Sequence, residues 1–169
     1  MTAPELPAPR TPGSYRVALV CLGNICRSPM AHVVLDARVD DAGLAGHVSI
    51  TSCGTGDWHV GDPMDRRAAA TLTAAGYDAN RHRARQFDPT WLAGNDLVLA
   101  MDASNLADVG GHTADGRVRL FRDFDPVDPG GDVPDPYYGG DDGFEEVLTM
   151  VERTSATIVE RLRAAVAPT

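Results

Sequence analysis

The 169-residue sequence predicts a small doubly wound α/β fold of three layers, a four-stranded parallel sheet with helices on both faces. Two observations carry that prediction. Short strand-like segments at 16–21, 47–53, 97–101 and 118–121 alternate with segments whose apolar residues recur at helical spacing, a pattern that implies right-handed parallel crossovers. The first and third runs are apolar almost throughout, as strands covered on both faces must be. A chain of this length suits one domain and can bury roughly two-thirds of its unfolded surface. We expect that domain over 15–169, preceded by a Pro-rich tail, 1–14, whose four prolines and scarcity of buriable side chains predict disorder.

The first strand, Arg16 to Cys21, stops at a cysteine. Ser28 then stands where a helix N-cap belongs and Pro29 at the first helical position, where its missing N–H costs nothing. Met30, Val33, Val34 and Ala37 follow at helical spacing, and Gly43 closes the run. His47 to Cys53 reads as a second strand running into Gly54 and Gly56. Asp62-Pro63 repeats the cap-and-first-turn device for a helix with Met64, Ala68, Leu72 and Ala75 on one face and Gly76 as its stop. Asp88-Pro89 opens a short helix that Trp91 anchors to the core. Leu97 to Met101 is the third strand, Asp102 caps a helix from Ala103 to Val109, and Val118 to Phe121 is the fourth strand. From Asp123 to Asp142 the chain is rich in Asp, Pro and Gly without periodicity, and a loop of about twenty residues in a compact domain is usually functional or disordered. Phe144, Val147, Leu148, Val151, Ile158 and Leu162 form the apolar stripe of a closing helix, with Glu145 and Glu146 near its N-terminus.

A net charge of −9 argues against a general binder of nucleic acid or acidic membranes. No apolar run approaches the ~20 residues of a membrane helix, and the N-terminus lacks the pattern of a secretory signal. Three cysteines, two of them in one tight loop, fit a reducing compartment, so we expect a soluble cytoplasmic protein. Any anion it binds must be held locally.

Leu22, Gly23, Asn24, Ile25 and Cys26 separate Cys21 from Arg27. If they wrap around a centre, their N–H groups converge on an anion, and the helix that follows adds its positive end. Both effects favour the thiolate of Cys21, the form that attacks. Ser28 can offer the sulfur a hydroxyl hydrogen bond that eases its later departure. The planar fork of Arg27 matches two oxygens of a tetrahedral oxyanion in a way lysine does not. Gly23 permits close backbone approach and Asn24 tolerates the left-handed conformation of a tight loop. The ligand that fits is a phosphoryl group.

Cleaving a phosphate ester also needs an acid at the leaving oxygen, worth roughly 10²–10⁴ in rate. Asp-Pro occurs five times, so the dipeptide decides nothing by itself. Asp62 and Asp88 are explained as caps, while Asp125, Asp128 and Asp135 fall in the long loop. Only Asp135 is followed by two aromatics, Tyr137 and Tyr138, which can wall an aromatic substrate.

The run Cys-Leu-Gly-Asn-Ile-Cys-Arg-Ser-Pro at 21–29, with Asp-Pro-Tyr-Tyr at 135–138, resembles the low-molecular-weight protein tyrosine phosphatases from about Tyr15 to the last helix. Gly-Thr-Gly-Asp-Trp-His-Val-Gly at 54–61 is similar to the actinobacterial members in particular. The resemblance implies a single phosphatase domain in which Cys21 forms a phosphocysteine, Arg27 binds the phosphoryl group, and Asp135 protonates the leaving phenolate and then activates water. It implies that Asn24 is held by Ser52 and His82, and that Trp58, Tyr137 and Tyr138 line a cleft deep enough to favour phosphotyrosine. Neither metal nor cofactor is implied; the expected partners are phosphotyrosine proteins, with inorganic phosphate or similar oxyanions as product or inhibitor. Two departures stand out: His32 occupies a position where many members carry glutamate, and the Pro-rich extension lies outside the family core.

Two other functions compete. A thioredoxin-coupled arsenate reductase shares this loop but needs further cysteines in a redox cascade, and Cys53 is the only one outside the loop. A non-catalytic phosphoprotein-binding module would have lost the nucleophile or the acid, and this chain keeps both. Cys26 reads either as a redox partner of Cys21 or as a small buried residue, and Cys53 as core. His32, His47, His59 and His112 lack ligand spacing and read as surface residues, and Arg81, His82, Arg83 and Arg85 as a solvated basic face.

Overall fold

The structure, a computed structural model, describes residues 3–167. Residues 1 and 2 of the expected tail and 168 and 169 of the expected domain lie outside the described residues. Strands β1 (Tyr15–Cys21), β2 (Val48–Gly54), β3 (Leu97–Ala100) and β4 (Val118–Leu120) form one parallel sheet in the order β2-β1-β3-β4. Helices α1 (Arg27–Asp41), α2 (Arg66–Ala74), α3 (Thr90–Gly94), α4 (Ala103–Asp108) and α5 (Asp141–Ala165) surround it, with a 3₁₀ turn at Phe121–Phe124.

The period of two along β1 sorts its side chains between the layers. Tyr15, Val17, Leu19 and Cys21 enter the larger core with α1, α2 and α5, whereas Ala18 and Val20 enter the smaller one with Leu106, Val109 and Trp91. Each fully buried Leu or Val adds roughly 1.5–3 kcal/mol by leaving water. Because the chain goes from β1 to β2 and then returns past β1 to β3, the strand order reverses between β1 and β3. A crevice therefore opens at their carboxyl ends. The Cys21 loop leaves one of those ends and Asp102 the other.

Two helix starts differ from the sequence reading. Cys26, not Ser28, is the N-cap of α1, and Ser28 lies inside the first turn with its hydroxyl turned to Cys21. Pro29 remains harmless there, since no first-turn N–H has an intrahelical acceptor. Asp65, not Asp62, caps α2, accepting from the N–H groups of Arg67 and Ala68. Asp62 is committed to a turn instead, its N–H donating to the His59 carbonyl and its own carbonyl accepting from Ala84.

The long loop is strapped down at its base. Asp125 is buried, accepts from Arg122 at 2.9 Å and from Arg153 at 2.8 Å and 2.9 Å, and also caps the Val127 N–H. Burial opposes its charge, but the Arg153, Val127 and Arg122 hydrogen bonds prevail and bring its pKa down to about 2. Farther on, Val133 is fully buried and its N–H donates to the Met101 carbonyl.

The stretch 3–14, read as a disordered tail, lies against the domain over its described residues. Arg161 donates to the Ala3 carbonyl, Tyr15 to that of Pro7 and Arg117 to that of Ala8, while the Arg10 N–H donates to Asp96. Ala3 and Leu6 pack on the larger core. Carbonyls of a proline-rich stretch accept hydrogen bonds as well as any others, so the tail needs no secondary structure of its own to be held.

Candidate active site

Residues 21–27 curl from the end of β1 into the start of α1, so that Cys21, Leu22, Gly23, Ile25, Cys26 and Arg27 line one cavity of about 300 Å³. Asn24 is the turn's pivot. It is fully buried, and at φ 56° it is the only non-glycine with positive φ among the described residues. Its N–H donates to the Cys21 sulfur at 3.3 Å, and the Ser28 hydroxyl lies 2.9 Å from that sulfur. Among the described residues no protein acceptor takes the N–H of Leu22, Gly23, Ile25 or Cys26. Free donors at the N-terminus of a fifteen-residue helix are an anion cradle.

The Asn24 side chain is satisfied on every side. Its amide donates to Ser28 at 2.8 Å and to Ser52 at 3.0 Å, and its side-chain oxygen accepts from the Arg85 N–H at 2.9 Å. The His82 Nε2 donates to the Asn24 carbonyl at 2.6 Å. Burial, aided by His32, Arg85 and Arg83, lowers the His82 pKa to about 4, which keeps the ring neutral with its proton on the nitrogen facing that carbonyl. β2 supports the loop from the other side: Thr55 donates to the Cys21 carbonyl and Gly56 to that of Leu22. A Cβ on Gly54 would meet the Leu22 carbonyl at 2.7 Å, so glycine is required where the loop rests on the strand.

Arg27 is buried with one nitrogen shared between Asp102 at 2.5 Å and the Val133 carbonyl at 3.1 Å, while its other terminal nitrogen lies 3.6 Å from Asp135. Burial works against its charge, yet Cys21, Asp102 and Asp135 outweigh it and raise the guanidinium's pKa above the ordinary value. Asp102 also caps α4 through the Asn105 N–H, so the group that aims Arg27 is itself fixed. Asp135 lines the same cavity as the Cys21 thiol, its side chain 35% exposed, with the Tyr137 N–H donating to it at 3.1 Å.

Trp58, His59, Tyr137 and Tyr138 complete the walls. The Trp58 ring lies over Gly56, where any Cβ would collide with it, and stays 69% exposed. Tyr138 is 91% exposed and meets Tyr137 edge to face, centroids 4.9 Å apart. Cys26 lines the same cavity, but burial, with Asp65, Cys21 and Asp135, pushes its thiol pKa far up, so it stays protonated beside Cys21. Cys53 is fully buried in the smaller core, and all three cysteines are free. Among the described residues no group of three or more His, Cys, Asp or Glu is placed to hold a metal ion.

Three contributors carry little signal in the sequence. His32 is not a surface residue: it is half-buried, and its Nδ1 lies 3.2 Å from the Ser52 hydroxyl, which extends the Asn24 network by one member. Burial, with Arg85, lowers its pKa to about 4. His59 packs its ring over Gly23 and lines the cavity. Asp102 reads only as a helix cap, and its second task beside Arg27 depends on a contact 75 residues away in sequence.

Residues 16–167 match the sequence model of the family described as low molecular weight phosphotyrosine protein phosphatase. A low molecular weight protein-tyrosine-phosphatase of Streptomyces coelicolor is 50% identical over 156 residues, covering 89% of this chain and 94% of that one. Low molecular weight protein-tyrosine phosphatase A of Mycobacterium tuberculosis is 45% identical over 141 residues, covering 80% and 84%. Among solved structures, a protein tyrosine phosphatase from Entamoeba histolytica with Hepes in the active site superposes with a TM-score of 0.82 at 30% identity, covering 89% of this chain and 98% of that one. YfkJ from Bacillus subtilis gives 0.82 at 31% identity, with 89% and 96% covered.

Proposed function

The chain belongs to the low molecular weight phosphotyrosine protein phosphatase family, and from that premise we propose how its residues divide the work of hydrolysing a phosphotyrosine ester. The thiolate of Cys21 attacks phosphorus, the bond to the phenolic oxygen breaks, and Asp135 gives that oxygen its proton. Water then attacks the phosphocysteine, Asp135 takes the water's proton, and the thiolate leaves as inorganic phosphate forms. Arg27 and the free N–H groups of the loop carry the charge of the equatorial oxygens throughout, where fixed donors contribute most to the transition state. Ser28 stabilises the thiolate as leaving group.

The observation that carries this reading is that Cys21, Arg27 and Asp135 line one cavity with Trp58 and the two tyrosines. The aromatic walls favour the long, flat phosphotyrosine over the shorter phosphoserine. Substrates are accordingly phosphotyrosine proteins, and inorganic phosphate is both product and competing ligand. No helix among the described residues is long and apolar enough to cross a membrane. Three free cysteines suit a reducing compartment, and on that ground we place the enzyme in the cytoplasm. Cys53, walled into the core, favours hydrolysis over a cysteine redox cascade.

Purified protein is expected to hydrolyse p-nitrophenyl phosphate in the presence of EDTA, and Cys21→Ser is expected to lower kcat by at least about a thousandfold. Full activity of that variant would remove the nucleophile from the reading. Preferential turnover of phosphoserine peptides would remove the substrate class.

A further inference from the structure

Arg67 does not line the catalytic cavity and has no part in the chemistry above, yet it joins the two loops that do. It sits in the first turn of α2, where its guanidinium is paired with Asp65 at 3.2 Å. From there one nitrogen donates to the Tyr137 carbonyl at 2.9 Å and the other to that of Gly139 at 3.4 Å. The same planar group stacks over the Tyr137 ring at 5.5 Å and the Phe144 ring at 4.7 Å. On the opposite side, the Asp65 N–H donates to the Ile25 carbonyl at 2.9 Å, in the phosphate loop.

Placed in series, these contacts run from Ile25 through Asp65 and Arg67 to Tyr137, whose own N–H donates to the Asp135 carboxylate at 3.1 Å. Among the described residues, the two hydrogen bonds from Arg67 are the ones that reach residues 134–139 from outside that segment. A single part-exposed Arg–Asp pair is screened by solvent and adds little to stability, so the pair is a poor stability device. A fork that holds one carboxylate and two carbonyls while lying on two rings is a geometric device, and lysine has no equivalent.

We propose that Arg67 is a positioning residue that sets the distance and aim of Asp135 relative to the Cys21 loop. This rests on the reading of Asp135 as the general acid. Misplacing a reacting group by about 1 Å can cost on the order of a hundredfold, and the penalty grows with the substrate's need for the proton.

The test uses Arg67→Met, which keeps the stem for stacking, and Arg67→Lys, which keeps the charge; both lose the fork. Measured are kcat/KM for phenyl phosphate, whose leaving group needs protonation, and for p-nitrophenyl phosphate, whose leaving group needs it less, together with the rate of Cys21 alkylation by iodoacetate. Expected for both variants is a fall of about tenfold on phenyl phosphate, about threefold greater than on p-nitrophenyl phosphate, with alkylation within about twofold of wild type. In an Asp135→Asn background, Arg67→Met is expected to cost less than about twofold more. Equal losses on the two substrates, an undiminished loss in the Asp135→Asn background, or no loss at all would overturn the proposal. If Asp135→Asn alone leaves the dependence on the leaving group unchanged, the acid assignment falls first, an outcome distinct from failure of the Arg67 variants.

Discussion

The phosphate loop (21–27) and the acid loop (125–140) face each other across one cavity and are held by opposite means. The first is tied through buried backbone: donors from Thr55, Gly56 and His82 grip its carbonyls, and Asn24 fills its centre with every polar atom paired. The second has almost no backbone ladder. It is held at its base by the Arg122–Asp125–Arg153 cluster and nearer its tip by Arg67, side chains that come from the 3₁₀ turn, α5 and α2. A nucleophile that must meet free amides within a few tenths of an ångström is set by backbone. On the proposed assignment, the acid that serves two successive proton transfers is carried on a segment held by side chains.

The contrast breaks most visibly at Asn24. Asn24→Ala leaves the Arg85 N–H unpaired, takes the amide donor away from Ser28 and Ser52, and leaves a residue at φ 56° with no side-chain hydrogen bond to compensate. We expect kcat to fall roughly a hundredfold and stability by about 2–4 kcal/mol, the first read in steady-state assays and the second in denaturant melts. Near-normal kcat in the folded variant would show that the loop does not depend on its central side chain.

Asp125→Asn tests the other side. Arg122 and Arg153 then face an uncharged partner, and we expect about 2–3 kcal/mol of destabilisation. The native advantage of this carboxylate is present above its unfolded pKa near 3.8 and is lost as pH falls through about 2, so the variant's deficit should persist across the neutral range. Once folded, it should lose less kcat than Asn24→Ala does. A larger catalytic loss than that would mean turnover depends more on the base of the acid loop than on the centre of the phosphate loop.

His32 and His82 give a smaller, pH-dependent effect. Both are lowered to about 4 from an ordinary 6.5, so between those values the unfolded chain binds more protons than the folded one. Their contribution is complete above about pH 6.5 and is lost as pH falls toward 4. Thermal melts of His32→Asn and His82→Asn should therefore show a shallower loss of Tm between pH 6.5 and 4.5 than the parent. An unchanged slope would remove both rings from the supporting network.

The smallest effect separates His32→Asn, which keeps a polar atom near Ser52, from His32→Leu, which does not. We expect kcat to fall about two- to fivefold in the leucine variant and less than about twofold in the asparagine variant. Equal kcat in the two would show that the bond to Ser52 does not matter to turnover.

Much of this was legible in the chain because it rests on local pattern. The strands follow from short apolar or alternating segments, and the Cys21–Arg27 spacing behind the first of them marks the loop before any contact is known. The helix starts were less legible because Ser28-Pro29 and Asp62-Pro63 both carry a cap signature, and tertiary demands claimed Ser28 for the sulfur and Asp62 for a turn. His32, Asp102 and Arg67 were illegible in their roles, since each acts on a partner 20 to 75 residues away and nothing local distinguishes such a residue from a surface one.

The central claim is that one sulfur, Cys21, carries the phosphoryl group between the two proton transfers at Asp135. Wild-type enzyme quenched in acid within its first turnovers on a radiolabelled phosphotyrosine peptide should yield a labelled peptide containing 21–27. The label should be acid-stable as a thiophosphate and absent in Cys21→Ser. Label on a histidine or on Cys26, or full turnover without any covalent label, would contradict the account.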